Sequence, residues 1–179
     1  MRKFGIIAVL SLLVTALAAV PALAVNAITI DETAAPTGTH LQAGTLDAST
    51  CSVNEAGAVV CNSYELAGVG NADAEATLVA NYTATVDCQN KGGNIVEVKA
   101  QVEGVESSTG TIEAKNGRLL VPTLTSAPAP TAEEFAAQAT CPNGNWTKIT
   151  RTETIALSSF TYELTFEGFT TPYVTITGP

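Results

Sequence analysis

The sequence predicts an all-β protein: an antiparallel β-sandwich, immunoglobulin-like or similar, with one short helix. Three observations favour this fold class. Beyond Gly44, apolar and polar residues alternate with a period of two in segments rich in threonine and valine, as in half-buried strands. Turn-forming residues separate these segments about every ten residues. Only one segment has a helical pattern. We therefore predict a single domain over 44–179, preceded by an N-terminal segment over 25–43.

The longest predicted strand is Ala76–Cys88. Its inward-facing positions are Ala76, Leu78, Ala80, Tyr82, Ala84, Val86 and Cys88. The positions between them are mostly threonine, asparagine and aspartate, which suit a solvated face. An ordinary strand has about 5–6 residues, so a strand of this length is expected to contain a bulge or a bend.

The other predicted elements follow from the same alternation and from turn signals. They are strands at Ala27–Ile30, Ile95–Val105, Thr111–Ala114, Arg118–Val121, Trp146–Leu157, Phe160–Glu167 and Tyr173–Thr177, turns at Gln89–Asn94 and Lys115–Gly117, and a helix at Ala132–Gln138. Thr131 and Glu134 match a capping box, which fixes the start of the helix. In the strand at Phe160–Glu167 the inward positions are Phe160, Tyr162, Leu164 and Phe166.

Residues 1–24 are expected to form a secretory signal peptide. Arg2 and Lys3 supply positive charge, and an apolar run extends from Ile6 to Val20. Pro21 ends this run, and the small residues of Ala22-Leu23-Ala24 follow as a cleavage site. The run is shorter than the roughly 20 residues that a membrane-spanning helix needs. We therefore expect cleavage after Ala24, secretion of the product, and no membrane attachment.

Four cysteines, Cys51, Cys61, Cys88 and Cys141, remain after the predicted cleavage. An even number in an exported chain indicates two disulfides, with three possible pairings. We favour Cys51–Cys61, which flanks a segment able to fold back as a hairpin, together with Cys88–Cys141. A metal site is the alternative. No two cysteines have C-x-x-C spacing, however, and the only histidine, His40, falls in a polar linker.

The charge of the chain bears on its partners. The net charge is −9, and loss of Arg2 and Lys3 with the signal peptide would make it more negative. Such a chain repels nucleic-acid phosphates and anionic lipid headgroups. We therefore exclude nucleic acid and expect an unidentified extracellular or envelope partner. Solubility alone also favours a negative net charge.

Calcium is the only cofactor that the sequence suggests. Asn71, Asp73 and Glu75 offer oxygen donors at alternate positions, and Asp87 precedes the asparagine-containing turn at Gln89–Asn94. Extracellular calcium sites use such oxygen donors. Asparagine and aspartate also populate turns for purely backbone reasons, and we favour that interpretation. The expectation is thus that no cofactor is bound.

No catalytic residue is predicted. His40 would need a serine or threonine beside it to act as a general base. Glu163 and Glu167 alternate with threonine on one strand, which is typical of a solvated face rather than of a glycosidase pair. Trp146 is the only tryptophan. An exposed tryptophan would suit carbohydrate binding, but we expect Trp146 to pack in the core beside the disulfide of Cys141.

Four segments carry a family resemblance. They are VVCNSYELAGVGNADAEATLVANYTATVDCQNKGGN, KNGRL, ATCPNGNW and ITGP. Through these segments, the chain from about residue 44 to its end resembles a family of uncharacterised exported proteins of Gram-positive bacteria. The resemblance implies secretion and a β fold, and it implies no activity and no functional residue.

The function predicted from these observations is that of a non-enzymatic extracellular β-sandwich that acts by binding or as part of the envelope structure. The alternative is a secreted enzyme of unrecognised, carboxylate-based type. The shape of the surface separates the two. An enzyme should show a deep cleft with convergent polar groups. A binding module should show a flat face or an open sheet edge.

Overall fold

The computed structural model describes residues 26–179, and the predicted signal peptide lies outside them. Its strands are β1 (Ala27–Ile30), β2 (His40–Gly44), β3 (Cys51–Val53), β4 (Val59–Cys61), β5 (Tyr64–Ala67), β6 (Ala74–Gln89), β7 (Ile95–Ile112), β8 (Arg118–Val121), β9 (Leu124–Thr125), β10 (Thr147–Thr150), β11 (Ala156–Phe166) and β12 (Val174–Gly178), and its helix is α1 (Ala132–Gln138). All strand pairs are antiparallel, so the all-β prediction with one short helix is confirmed. In residues 26–179, no helix is long and apolar enough to cross a bilayer.

The larger layer is a six-stranded sheet built around β6. Strands β1, β12, β11 and β6 lie side by side in that order. Strand β6 has 16 residues and is long enough to pair with two strands along one side. Residues 74–83 pair with β11, and residues 86–89 pair with β10. The other side of β6 pairs with β7. Strand β7 therefore forms one outer edge of this sheet. On the first side of β6, both β1 and β10 have a side that is unpaired in the described chain.

The second layer consists of two three-stranded sheets, β2-β5-β8 and β3-β4-β9, and a single hydrophobic core lies between the layers. The hydroxyl oxygens of Tyr64 and Tyr162 lie 3.0 Å apart across the core. The hydroxyl of Tyr82 donates to the carbonyl of Gly57 at 2.8 Å. Each of these buried hydroxyls thus has a hydrogen-bond partner, which offsets the cost of removing it from water. The result is a sandwich-like fold.

The predicted alternation along the two long core strands is confirmed. In β6, every predicted inward residue from Ala76 to Cys88 is at most 1% exposed. In β11, Phe160, Tyr162, Leu164 and Phe166 are all buried. The bulge expected in β6 lies in its partner instead, because the register shifts between Glu75 and Thr77 and between Ala80 and Tyr82 each place the extra residue in β7. Such bulges let one long strand follow the twist of the sheet.

Two local motifs also form as predicted. At the Lys115–Gly117 turn, Asn116 and Gly117 have φ values of 54° and 74°, and Lys115 and Arg118 exchange both backbone hydrogen bonds. Positive φ at both central positions is the type I′ geometry of a tight hairpin. At the start of α1, the side chain of Thr131 accepts from the N–H of Glu134, whose carboxylate accepts from the N–H of Thr131.

Three predicted strands differ from those observed: Trp146–Leu157, Ile95–Val105 and Thr111–Ala114, the last of which is no separate strand because its first two residues belong to β7. The segment Trp146–Leu157 is broken into β10, a 3₁₀ turn at Thr152–Thr154 and the first residues of β11. At the break, the hydroxyl of Thr154 takes the place of a backbone partner: it accepts from the N–H of Thr85 and donates to the carbonyl of Arg151. Strand β7 continues to Ile112, well beyond its predicted end, because positive φ at glycines absorbs the irregularities in its path.

The disulfides join Cys51 to Cys61 and Cys88 to Cys141, as predicted, and every cysteine in the described chain is bonded. The first joins directly opposite positions of β3 and β4. The second ties the end of β6 to the loop before β10. The segment over 25–43 contributes β1, which pairs with β12, and most of β2.

Candidate functional site

The outer side of β7 is an unpaired sheet edge. Within residues 26–179, β7 forms a ladder with β6 alone. Its 18 residues span about 60 Å at the ordinary rise of a strand. None of the backbone hydrogen bonds between separate elements of the described chain involves residues 95–112. We call the side of β7 that faces away from β6, over 95–103, the β7 edge.

The backbone groups that point outward along the β7 edge follow from the hydrogen bonds of β6. The N–H of Thr85 donates to the hydroxyl of Thr154 at 2.8 Å, and its carbonyl accepts from the N–H of Arg151 at 2.9 Å. Both groups of Thr85 therefore point away from β7. Two residues that lie opposite each other in an antiparallel pair either exchange both backbone hydrogen bonds or both direct their N–H and C=O groups away from each other. Lys99, which is opposite Thr85, must present its N–H and carbonyl to the β7 edge.

The same alternation gives the direction of the backbone N–H and C=O groups of the residues next to Lys99. Glu97 and Gln101 are two positions from Lys99, and they too present backbone donors and acceptors outward. Val98 and Ala100 instead face β6, where they lie opposite Val86 and Ala84. The β7 edge thus offers a row of free peptide groups at every second residue, which is the arrangement that an added strand can pair with.

Charged side chains and glycines make the β7 edge selective. Glu97 pairs with Arg151, which also binds Asp87 at 2.9 Å, whereas Lys99 donates to the hydroxyl of Thr85 at 2.8 Å. Glu103 is exposed. Just beyond it, Gly104 has a φ of 56° and interrupts the regular strand. Charges and bulges of this kind prevent an edge from pairing indiscriminately, so a partner strand has to complement them.

A groove borders the β7 edge on the core side. Helix α1 packs there through Phe135, which is fully buried. Gln138 at the end of α1 lines a cleft of about 470 Å³ together with Gln101, Val102 and Glu103. An extended segment at the β7 edge would therefore contact the end of α1 on one side.

The calcium candidates are not brought together. Asp73 and Glu75 line an open cleft of about 380 Å³ at one end of β6, where Glu167 also lies. Asp73 already accepts from the N–H of Ala114 at 2.8 Å, and Glu75 accepts from a serine hydroxyl of β7. Asp87 lies at the other end of β6, about 40 Å from Glu75 along the strand at about 3.3 Å per residue. No group of three or more histidine, cysteine, aspartate or glutamate residues in the described chain is placed to hold a metal ion.

Asn71, the fourth calcium candidate, is exposed in the turn before β6. Asp87 is instead held by Arg151, whose pKa is raised by its hydrogen bonds to Asp87 and Glu97. These two acidic side chains and the guanidinium link β6, β7 and the segment after β10. The role of Asp87 in this structure is that of an ion-pair partner between strands.

The residues weighed for catalysis are also dispersed. His40 lies in β2 rather than in a linker, and its Nδ1 is 2.8 Å from the carbonyl of Gly38. Glu163 lies on the outer face of β11, opposite Thr77 and Thr175. Glu167 is four residues further on, about 13 Å along an extended chain. Paired glycosidase carboxyls lie only about 5–9.5 Å apart.

The most strongly perturbed titratable groups belong to the core. Burial, the nearby Tyr162 and the hydrogen bond between the two hydroxyls raise the pKa of Tyr64 well above its ordinary value. Burial raises the pKa of Tyr162 to about 12, although its bond to Tyr64 acts in the opposite direction. Perturbed groups indicate catalysis when they line a cleft. These two tyrosines line none of the clefts described above and serve packing.

Trp146 does not pack in the core, contrary to the prediction. It is half-buried, and it is absent from the hydrophobic cluster between the layers. It lines a shallow cleft of about 410 Å³ with Asn90, Lys91, Gly92, Asn143 and Asn145. The loop from Cys141 to Trp146 is short and rich in asparagine and glycine, so it lies on the surface and carries the indole with it.

Comparison of the chain with protein-family models, with curated proteins and with solved structures finds no match. The resemblance to exported proteins of Gram-positive bacteria therefore stays a prediction.

The β7 edge was not anticipated from the sequence. Alternation in Ile95–Val105 predicts a strand but carries no information on how many neighbours it has. Alternating glutamate and lysine at Glu97, Lys99 and Glu103 were the available signal, because charged residues concentrate on edge strands.

Proposed function

We propose that this protein is a secreted, non-enzymatic module that binds an extended segment of another exported protein at the β7 edge. The observation that carries the proposal is the row of outward-facing peptide groups at Glu97, Lys99 and Gln101. A partner strand gains its affinity from backbone hydrogen bonds to such groups, and its specificity from alternate side chains.

The clefts of the described chain favour binding over catalysis. Those at Asp73 and at Trp146 are open to solvent. In the first, Glu75 accepts from the hydroxyl of Ser108, but Ser108 does not line the cleft, and no histidine lines either cleft. An acyl- or glycosyl-transfer enzyme needs its catalytic groups to converge where water is excluded. The arrangement therefore supports a surface that recognises a partner.

Charge indicates the chemistry of the partner segment. Glu97 is already paired with Arg151, but Glu103 and Glu106 form no ion pair within residues 26–179, and the chain as a whole carries −9. A basic extended segment would complement this face, with its lysine or arginine side chains beside the glutamates. Two copies of this chain would instead bring like charges together, so we propose a different protein as the occupant.

Secretion belongs to the same proposal. Two disulfides are compatible with an oxidising, extracellular location. The predicted signal peptide over 1–24 supports the same location from sequence. An exported partner would meet the β7 edge in that compartment.

The test compares two substitutions at one position. Gln101→Pro removes the outward N–H but no bond to β6, whereas Gln101→Ala keeps the N–H and removes only an exposed side chain. Wild type and both variants are immobilised and exposed to an envelope extract of the producing organism. We expect a protein with a basic segment to be retained by wild type and Gln101→Ala and lost with Gln101→Pro.

Amide hydrogen exchange of the resulting complex completes the test. Lys99 and Gln101 should become protected in wild type when the partner is bound. The proposal is contradicted if Gln101→Pro retains the same partner, if Lys99 and Gln101 gain no protection, or if the protein instead forms dimers through β7. Circular dichroism and thermal unfolding of both variants check that they remain folded.

A further inference from the structure

The cleft beside Trp146 is lined by asparagine side chains and one aromatic ring. It is formed by two loops, the turn after β6 and the segment Cys141–Trp146, at the end of the large sheet. The Cys88–Cys141 disulfide ties the second loop to β6 directly before the first. The two loops are thus held in a fixed relation, which lowers the entropy lost when a ligand bridges them.

The asparagines of this cleft are oriented by backbone hydrogen bonds. The Oδ1 of Asn90 accepts from the N–H groups of Gly92 and Asn94, both at 2.9 Å. The Oδ1 of Asn143 accepts from the N–H of Asn145 at 3.0 Å. These bonds hold each side-chain amide by its oxygen. The amide NH₂ groups of Asn90 and Asn143 are left as donors, and neither NH₂ group bonds another described residue.

The other side chains that line the cleft add an apolar ring and further hydrogen-bond donors. Trp146 offers a flat apolar ring whose Nε1–H makes no hydrogen bond within residues 26–179. Lys91 contributes a further donor. A flat apolar surface surrounded by donors suits a ligand with one apolar face and many hydroxyl oxygens at its rim. A pyranose sugar with equatorial hydroxyls has this form, because its C–H groups make up the ring faces.

We infer that the cleft lined by Trp146, Asn90 and Asn143 binds a neutral, gluco-configured pyranose of a polysaccharide. The sugar ring stacks on the indole of Trp146, and its hydroxyls accept from the two amide groups. A neutral ligand matches the donors of the cleft, which are uncharged amides beside the single cation of Lys91, and the net charge of −9 repels anions at longer range. This site shares no lining residue with the β7 edge, and the inference does not depend on the proposed function.

The single tryptophan gives a direct measurement of binding. Because Trp146 is the only tryptophan in the sequence, its emission reports this cleft alone. The probes are cellohexaose and chitohexaose, two neutral chains of gluco-configured rings. Titration of the protein with each should give a saturable change in tryptophan emission with at least one of them. Absence of a change with both would overturn the inference.

Substitution separates stacking from other contacts. Trp146→Ala should lower the affinity for the sugar at least about tenfold in isothermal titration calorimetry, as expected for loss of a central aromatic contact. Trp146→Phe, the matched control, should retain part of the affinity. Wild-type affinity in Trp146→Ala would overturn the inference.

A third variant separates this site from the proposed function. Gln101→Pro should bind the hexasaccharide with wild-type affinity, because Gln101 does not line the Trp146 cleft. Loss of sugar binding in Gln101→Pro would contradict the independence of the two sites. Conversely, loss of the protein partner with retention of sugar binding would show that each surface acts separately.

Discussion

Substitution of Phe166 by alanine probes the packing on which both surfaces depend. Phe166 is the last residue of β11 and is only 1% exposed. Its ring contacts that of Tyr173 edge to face, with centroids 5.7 Å apart. Truncation of a buried phenylalanine costs about 3–5 kcal/mol, including the cavity that it leaves. A domain of this kind is stable by only about 5–15 kcal/mol, so little of that margin would remain.

The matched controls are the two neighbours of Phe166 in the chain, Thr165 in β11 and Glu167 directly after it. Thr165 is half-buried on the outer face, opposite Glu75, and Glu167 is exposed. Alanine at either position should change the free energy of unfolding by about 0.5 kcal/mol or less. Urea titration followed by circular dichroism measures all three variants. If Phe166→Ala matches wild type while Thr165→Ala unfolds, the faces of β11 are inverted and the core described above is wrong.

Three further predictions concern the ends, the disulfides and the core hydroxyls. Intact-mass analysis of the exported protein should place its N-terminus at Val25; a product that retains Met1 would refute cleavage. Cys88→Ala should destabilise the protein by about 1.5 kcal/mol more than Cys51→Ala in urea, because its disulfide closes the longer loop; the reverse order would contradict this. Tyr162 keeps its proton to about pH 12, against an ordinary 10.0. Below pH 10 this hydroxyl is protonated in both the folded and the unfolded protein and leaves the free energy of unfolding unchanged. Between pH 10 and about 12 only the unfolded protein loses the proton, so the free energy of unfolding should fall. Spectrophotometric titration that shows Tyr162 ionised near pH 10 in the folded protein would refute this prediction.

Local chemistry explains what the sequence predicts well. The type I′ turn at Lys115–Gly117 needs only two residues that tolerate positive φ, and the start of α1 needs only Thr131 and Glu134. Burial along β6 and β11 follows from a period of two that each strand carries in itself. In all of these elements, the residues that decide the structure are close together in the chain.

The remaining features depend on contacts between distant segments. That β7 is an edge strand depends on which strands come to lie beside β6. That Trp146 is half-buried depends on where the Cys88–Cys141 disulfide places its loop. The separation of Asp87 from Asp73 depends on β6 being one continuous strand. The immunoglobulin-like form of the sandwich stays a prediction.

The most direct test of the open β7 edge is amide hydrogen exchange of the free protein, measured by nuclear magnetic resonance. The outward amides of Lys99 and Gln101 should exchange nearly as fast as in an unstructured peptide, because water reaches them directly. Those of Val98 and Ala100, which bond β6, should be strongly protected. If Lys99 and Gln101 are as protected as Ala100 in the monomer, the β7 edge is already covered and cannot accept a partner strand.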